Sequence, residues 1–467
     1  MKNNYSLLFL LLMTQKVCWA NGDCLYNTLL RQCSCSLVDL TNIMSIVSCI
    51  QASSFEFQGG SLIDVNDYAL HNIEMEQVLA MIPLPLAKIS FINVVLSEEF
   101  LATFIRWVYR IPINVLAFEN AKFVGNPNWQ FISETTPQIS SLQFINVSSY
   151  PLFDRASNFT SLGRWIFKLE QLTLKNSNLK NIPCDTSQRF KDLSSLDLSE
   201  NFFQDQDIST SFCHGSFPKL KTLILQHNNL INYETVCQAL NKYPQLEHLD
   251  MSQNDFSNTS SFLCPWQPSL LLLNMSDTCL EELNNDLTLS CEVLDLSNNR
   301  LYSLNISLPK LKELYLSNNK FVTIPNTANL PSLEILAIDG NPIKTLQLGQ
   351  LQHYKRLHSI RADNMTYECS CSLFNEIKEI KKSGLTLQRW PDGYSCDSPS
   401  LFRGKLVSEV SLSFFECHKP LLIVVICIVI LLVSIATFIC WLKIHQRKKT
   451  RSEHLQAGNQ SSVQFQS

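Results

Sequence analysis

Seventeen of the 467 residues are cysteine, and where they stand limits the chemistry they can do. Cys24, Cys33, Cys35 and Cys49 form one group, and Cys369, Cys371, Cys396 and Cys417 form another. Between them stand Cys184, Cys213, Cys237, Cys264, Cys279 and Cys291. Four sulfurs in a short span can hold zinc, or can pair as disulfides. Apart from His418 beside Cys417, no histidine accompanies either group, which weighs against zinc. The redox compartment decides further. Lys2, the apolar stretch Leu7 to Met13 and the segment Val17-Cys18-Trp19-Ala20, with small residues at the positions a signal peptidase reads, form an export signal cleaved after Ala20, so the chain enters an oxidising compartment. Cys18 leaves with that signal, and Cys427 and Cys440 lie inside a long apolar run. Fourteen cysteines remain outside, and seven disulfides, no bound metal and no free external thiol are the expectation.

Other reactive patterns are missing from the sequence. There is no Gly-x-Ser-x-Gly elbow, no glycine-rich phosphate loop and no His-Glu-x-x-His, and nine histidines are scattered singly. No catalytic residue, no enzymatic activity and no cofactor are expected. A net charge of −4 provides no polyanion-binding balance, so nucleic acid is not an expected partner. Sequons at Asn146, Asn158, Asn258, Asn274, Asn305 and Asn364 are candidate glycosylation sites, while Asn459 fits the motif on the cytoplasmic side of the expected span.

The elements that carry these residues come from a repeat. From residue 169, LEQLTLKNSNL, LSSLDLSENFF, LKTLILQHNNL, LEHLDMSQNDF, LLLLNMSDTCL, CEVLDLSNNRL, LKELYLSNNKF and LEILAIDGNPI align with their leucines in column. This is the leucine-rich-repeat pattern. The Leu-x-Leu pair of each unit, such as Leu196 and Leu198, predicts a short strand with both side chains inward. The Asn column (Asn201, Asn228, Asn254, Asn299, Asn319 and Asn341) predicts a side chain that satisfies backbone groups of a neighbouring coil. One coil cannot bury its own apolar face, so coils must stack and the ends need caps. Weaker units begin at Ile89, Val115 and Leu142 with the Asn displaced or absent. FEFQGG at Phe55 is expected as the first strand and LHSIRADN at Leu357 as the last, giving roughly a dozen coils. The fold class expected is α/β: a curved leucine-rich-repeat solenoid with parallel strands on the concave face, disulfide caps and one transmembrane helix.

Leu421 to Leu442 is interrupted only by Ser434 and Thr437 and is long enough to cross about 30 Å of hydrocarbon. Lys443, Arg447, Lys448, Lys449 and Arg451 follow, which places the C-terminal side in the cytoplasm. A single-pass type I protein of the cell membrane with an extracellular ectodomain is expected. The division expected is a signal peptide at 1–20, an N-terminal disulfide cap at 21–54, repeats at 55–365, a C-terminal cysteine cap at 366–419, a span at 420–442 and a short cytoplasmic tail at 443–467. That tail is too small for a signalling domain, so a signalling partner is expected.

The stretches CDTSQRFKDLSSLDLSENFF, FCHGSFPKLKTLILQHNNLINYETVCQAL and LCPWQPSLLLLNMS, with QCSCS and VSCIQASSFEFQGG near the start, resemble the monocyte differentiation antigen family, the lipopolysaccharide co-receptors of myeloid cells. The resemblance runs from about Cys24 to Leu301. The Cys-x-Cys, Cys, Cys set at Cys369 to Cys417 is similar to the C-terminal cap of Toll-like receptors, which that family lacks, as it typically lacks a true span. By the first resemblance Cys24 pairs with Cys35, Cys33 with Cys49, Cys184 with Cys213 and Cys237 with Cys264. By the second, Cys369 pairs with Cys396 and Cys371 with Cys417. Cys279 and Cys291 are left over and are assigned to each other.

The first resemblance also implies function: an innate-immune pattern-recognition co-receptor that takes lipopolysaccharide or other acylated microbial lipid from a lipopolysaccharide-binding carrier protein and delivers it to a Toll-like receptor complex. A homodimer is compatible with the reading. The implied lipid pocket falls on Phe55, Phe57, Ile63, Val65, Tyr68, Leu70, Ile73, Val78, Leu79, Ile82, Leu86, Ile89, Phe91, Phe104 and Trp107, with Lys88, Arg106, Arg110 and Lys122 for lipid phosphates. For each apolar residue the alternative is packed core. A second function of a different class is a cell-adhesion or protein-ligand receptor, or a Toll-like relative, that binds through concave strand residues such as Thr222, Ile224, His248 and Asp250.

Overall fold

The computed structural model describes residues 24–38, 49, 51–63, 86–97, 100–101, 104–105, 113–124, 138–147, 164–259, 264–283, 290–325 and 330–461. The export signal therefore lies outside the described residues. Among them one sheet of sixteen strands runs the length of the solenoid. It opens with an antiparallel hairpin, Cys24–Asn27 with Gln32–Ser36, and is parallel from there on. A single inward column threads the parallel part: Cys33 registers with Phe55, Phe55 with Ile89, Ile89 with Leu116 and so on, coil by coil, to Leu336, Ile360 and Leu387. These side chains are all buried because each strand alternates faces, and only one face meets the core.

The turn after each strand has a fixed backbone geometry. Gly59, Asn93, Asn120, Asn146, Asn176, Glu200, His227, Gln253, Asp277, Asn298, Asn318, Gly340 and Asn364 all adopt positive φ, and each stands five residues after its strand begins. Asn and Gly tolerate that conformation at least cost, which explains their frequency there.

The next residue divides the solenoid in two. From Asn201 on it is usually the column asparagine, and its amide stitches two coils together. Asn201 accepts from the amides of Ser177 and Leu179, and donates to the carbonyls of Leu174, Leu198 and Ser199. Asn299 repeats the pattern on Thr278, Leu280, Met275 and Leu296. In the N-terminal coils that place is held by Gly60, Val94, Ala121 and Val147, which cannot do this. The backbone does it instead: Ser61–Leu62, Val95–Ser97 and Lys122–Val124 form a second, three-stranded parallel sheet. Main-chain hydrogen bonds there replace the side-chain ones, so the weak Asn column of these coils is not a loss of order.

The core also changes at this boundary. Strands of five residues (Ser54–Gln58, Lys88–Ile92, Val115–Glu119, Ser141–Ile145) bring a phenylalanine into register in each coil. Phe57, Phe91, Phe118 and Phe144 stack with centroids 5.5, 5.6 and 5.3 Å apart. Phe104 closes on the Phe91 ring edge at 5.2 Å. Further on, the strands shorten to three residues and Leu198 and Leu225 take over that column.

The solenoid closes on the helix Cys371–Lys382, whose first turn is capped by the Ser370 side chain, and on the last strand of the sheet, Thr386–Leu387. A second helix, Lys419–Ser461, carries the apolar run. It continues beyond Leu442 through the basic segment expected as a tail, since Lys, Arg, Gln and Glu are themselves good helix formers. Within it, Leu421–Ser452 is long and apolar enough to cross a membrane, and none of its most apolar window is buried.

Candidate ligand-binding site

Six disulfides form among the described residues: Cys24–Cys35, Cys33–Cys49, Cys184–Cys213, Cys237–Cys264, Cys369–Cys396 and Cys371–Cys417. The sulfurs of Cys24, Cys33 and Cys35 crowd within 4.8 Å of one another, as three metal ligands would, but all three are committed to the first two of these bonds. The expected seventh bond is corrected. Cys279 and Cys291 are free thiols. Cys291 occupies the core column filled in neighbouring coils by Leu246, Leu270 and Leu311, and is fully buried there. Cys279 belongs to a turn position filled elsewhere by Asn229, Asp255, Arg300 and Lys320, and is half-buried at φ +59. One side chain points into the core and the other sits in the turn, so the two do not meet. Burial, only partly offset by a backbone hydrogen bond, pushes the Cys291 thiol up to about 12. The sequence held this signal, because CEVLDLSNNRL aligns its Cys with the first leucine of every other repeat.

The residues expected to line a lipid pocket divide three ways. Phe55, Leu86, Ile89, Phe91 and Phe104 are buried in the core, with Phe91 and Phe104 held in the aromatic stack. Phe57 is half-buried at the end of that stack and Ile63 is 42% exposed. Val65, Tyr68, Leu70, Ile73, Val78, Leu79, Ile82 and Trp107 lie outside the described residues, as do Arg106 and Arg110. The coil that carries most of them is also the longest: 34 residues separate the paired Phe55 and Ile89, against 20 between Leu294 and Leu314. Lys88 is half-buried on its strand and Lys122 is exposed.

Of the glycosylation candidates, Asn146, Asn258, Asn305 and Asn364 are exposed. Asn158 lies outside the described residues. Asn274 faces the concave side, where its amide donates to Asp250 at 2.9 Å.

That concave face is continuous from Ser195–Asp197 to Ser359–Arg361. Its outward columns read Thr222, His248, Leu272, Val293, Glu313 and Ile335, and Ile224, Asp250, Asn274, Asp295, Tyr315 and Ala337. Half-exposed Ile224, Leu272, Val293 and Ile335 thus alternate with polar groups. Tyr315 donates to Glu313 at 2.6 Å, and burial with that carboxylate raises its phenol to about 12. At the C-terminal end Arg361 bridges two buried carboxylates, Asp339 at 3.0 Å and Asp363 at 3.1 Å. Sequence reasoning missed these columns beyond the first two coils, since they occupy the variable positions of the repeat.

A family model described as Leucine Rich repeats (2 copies) matches residues 309–353. Toll-like receptor 2 of Capra hircus is 30% identical over 88% of this chain and 51% of its own length, and Toll-like receptor 2 of Homo sapiens is 32% identical over 77% and 46%. The chain therefore spans about half the length of these relatives. A chain of the solved octameric complex of Latrophilin 3, Unc5D and FLRT2 aligns at a TM-score of 0.42 with 18% identity, covering 71% of this chain and 91% of that one. With its stacked parallel coils and its asparagine ladder, the chain is a leucine-rich-repeat protein similar to Toll-like receptor 2.

Proposed function

We propose that the chain is a membrane-anchored innate-immune receptor that captures lipopolysaccharide or another acylated microbial lipid through its N-terminal coils, accepts it from a carrier protein and delivers it to a Toll-like receptor complex. The observation that carries this reading is the likeness to Toll-like receptor 2 across 88% of the chain, from a solenoid with disulfide caps that leads into an apolar helix. Acyl chains need an apolar wall with a polar rim. Phe57 and Ile63 keep apolar surface, and Lys88 and Lys122 supply positive charge on the next two coils. Phe55, Ile89, Phe91 and Phe104 support that wall from behind.

The test is equilibrium binding of the secreted, disulfide-intact ectodomain, residues 21–419, to fluorescent lipopolysaccharide, with unlabelled lipopolysaccharide and a triacylated lipopeptide as competitors. Saturable binding that Ile63→Asp weakens supports the reading. Absence of binding by a folded ectodomain overturns it and favours the second reading, a receptor for a protein ligand. One observation favours that alternative: the half-exposed Ile224, Leu272, Val293 and Ile335 on the concave sheet, where a partner would bury them.

A further inference from the structure

The C-terminal cap contains an open cavity of about 500 Å³, whose lining includes Leu401, Phe402, Ser372, Cys417, Glu416 and Lys419. Its depth relative to a bilayer follows from covalent structure. Cys417 is bonded to Cys371, at the start of the cap helix, and Lys419 is the first residue of the apolar helix. Lys419 precedes Leu421 by two residues, which at 1.5 Å rise each is about 3 Å along the helix. The headgroup layer on each side of the hydrocarbon is about 5–7 Å thick. Once the helix spans a membrane, the cavity edge therefore lies at headgroup depth. Leu401, 73% exposed, projects beside it.

We propose that this cavity holds the headgroup of a zwitterionic phospholipid from the outer leaflet, with Leu401 set at the acyl-chain boundary. The inference rests on the membrane-anchored reading above. The lining carries one cation and one anion, as the ligand does. The Lys419 ammonium faces the phosphate and the Glu416 carboxylate faces the choline or ethanolamine nitrogen. Glu416 is already oriented, since it accepts from the amide and hydroxyl of Ser413 at 2.8 and 2.9 Å. An anionic lipid with no amine would leave that carboxylate facing a second negative charge. Arg403 is engaged by Asp397 at 3.4 Å and does not tip the balance.

The test uses the full chain in nanodiscs of phosphatidylcholine doped with a headgroup-photoactivatable phosphatidylcholine, with adducts mapped by peptide mass spectrometry. Adducts are expected in segments 399–403 and 412–419. Leu401→Ser with Lys419→Gln should lower cap labelling by about fivefold, the effect of losing one hydrogen bond to the phosphate, and leave labelling of the apolar helix unchanged. An intact Cys371–Cys417 bond in both proteins, read on non-reduced peptides, shows that the cap has folded. In discs of phosphatidylglycerol doped with the same probe, the host lipid competes poorly for the cavity, so cap labelling should rise relative to labelling of the helix; equal ratios in the two hosts would overturn the preference for a zwitterionic headgroup. Equal cap labelling in wild type and variant, with the helix labelled in both, overturns the cavity assignment alone. A chain that alkaline carbonate extracts from membranes overturns the anchored reading and the cavity with it.

Discussion

The side-chain amide of Asn201 donates to the carbonyl of Leu174 in the preceding coil at 2.6 Å, and the same link recurs at Asn228, Asn254, Asn299, Asn319 and Asn341. The Asn201 side-chain oxygen accepts two amides from the same preceding coil, those of Ser177 and Leu179, each at 3.0 Å. Asn201→Ala leaves these buried groups unpaired, and a loss of about 2–4 kcal/mol is expected. Urea denaturation of the ectodomain measures it. A loss below about 1 kcal/mol, the net worth of a single hydrogen bond, would show that water replaces the side chain.

Gly340 sets the same turn in the coil of Asn341. A Cβ there would lie 2.0 Å from the Asn318 side-chain oxygen, and its φ is +68. Asn318 in turn donates to Asn298 at 2.8 Å. Gly340→Ala combines left-handed strain of about 1–2 kcal/mol with a displaced hydrogen bond of about 1 kcal/mol. Gly215, at φ +80 with nothing within 4 Å, is the control and should show the strain alone. Equal effects at both positions would refute the steric part of this argument.

The two free thiols should react differently. Brief iodoacetamide treatment of the native ectodomain at pH 8 is expected to alkylate Cys279, which is half-buried in a turn, and to spare Cys291, which is buried and has a raised pKa. Both should react after denaturation without reductant. If neither reacts then, the two are bonded and the count of seven disulfides returns.

Tyr243, Tyr315 and Cys291 all have their pKa raised by burial to about 12, from 10.0, 10.0 and 9.0. Each is neutral in the fold and ionises more readily when unfolded. Their contribution to stability is therefore complete below about pH 9 and is lost as pH rises toward 12. Denaturation midpoints should be flat in this respect from pH 7 to 9 and fall above 10. Tyr243→Phe should reduce the slope, and an unchanged slope would remove Tyr243 from the account.

The repeat was legible because its leucines obey a period that burial imposes: an inward column must be apolar in every coil, so Leu196, Leu223 and Leu249 had to recur. The apolar run from Leu421 was legible for similar reasons of length and pattern. The sequence by itself determined the inward columns, the asparagine column and the helix able to cross a membrane, since each follows from one residue's chemistry at a fixed spacing. Only the tertiary structure decided what depends on two coils at once. It left Cys279 and Cys291 as free thiols, so that parity of cysteines misled. It replaced the absent asparagines at Val94 and Ala121 with a second backbone sheet, and filled the space behind Phe57 with Phe91, Phe118 and Phe144. Whether an apolar side chain is wall or core depends on which neighbour covers it, and that neighbour comes from the adjacent coil, some 20 to 34 residues away.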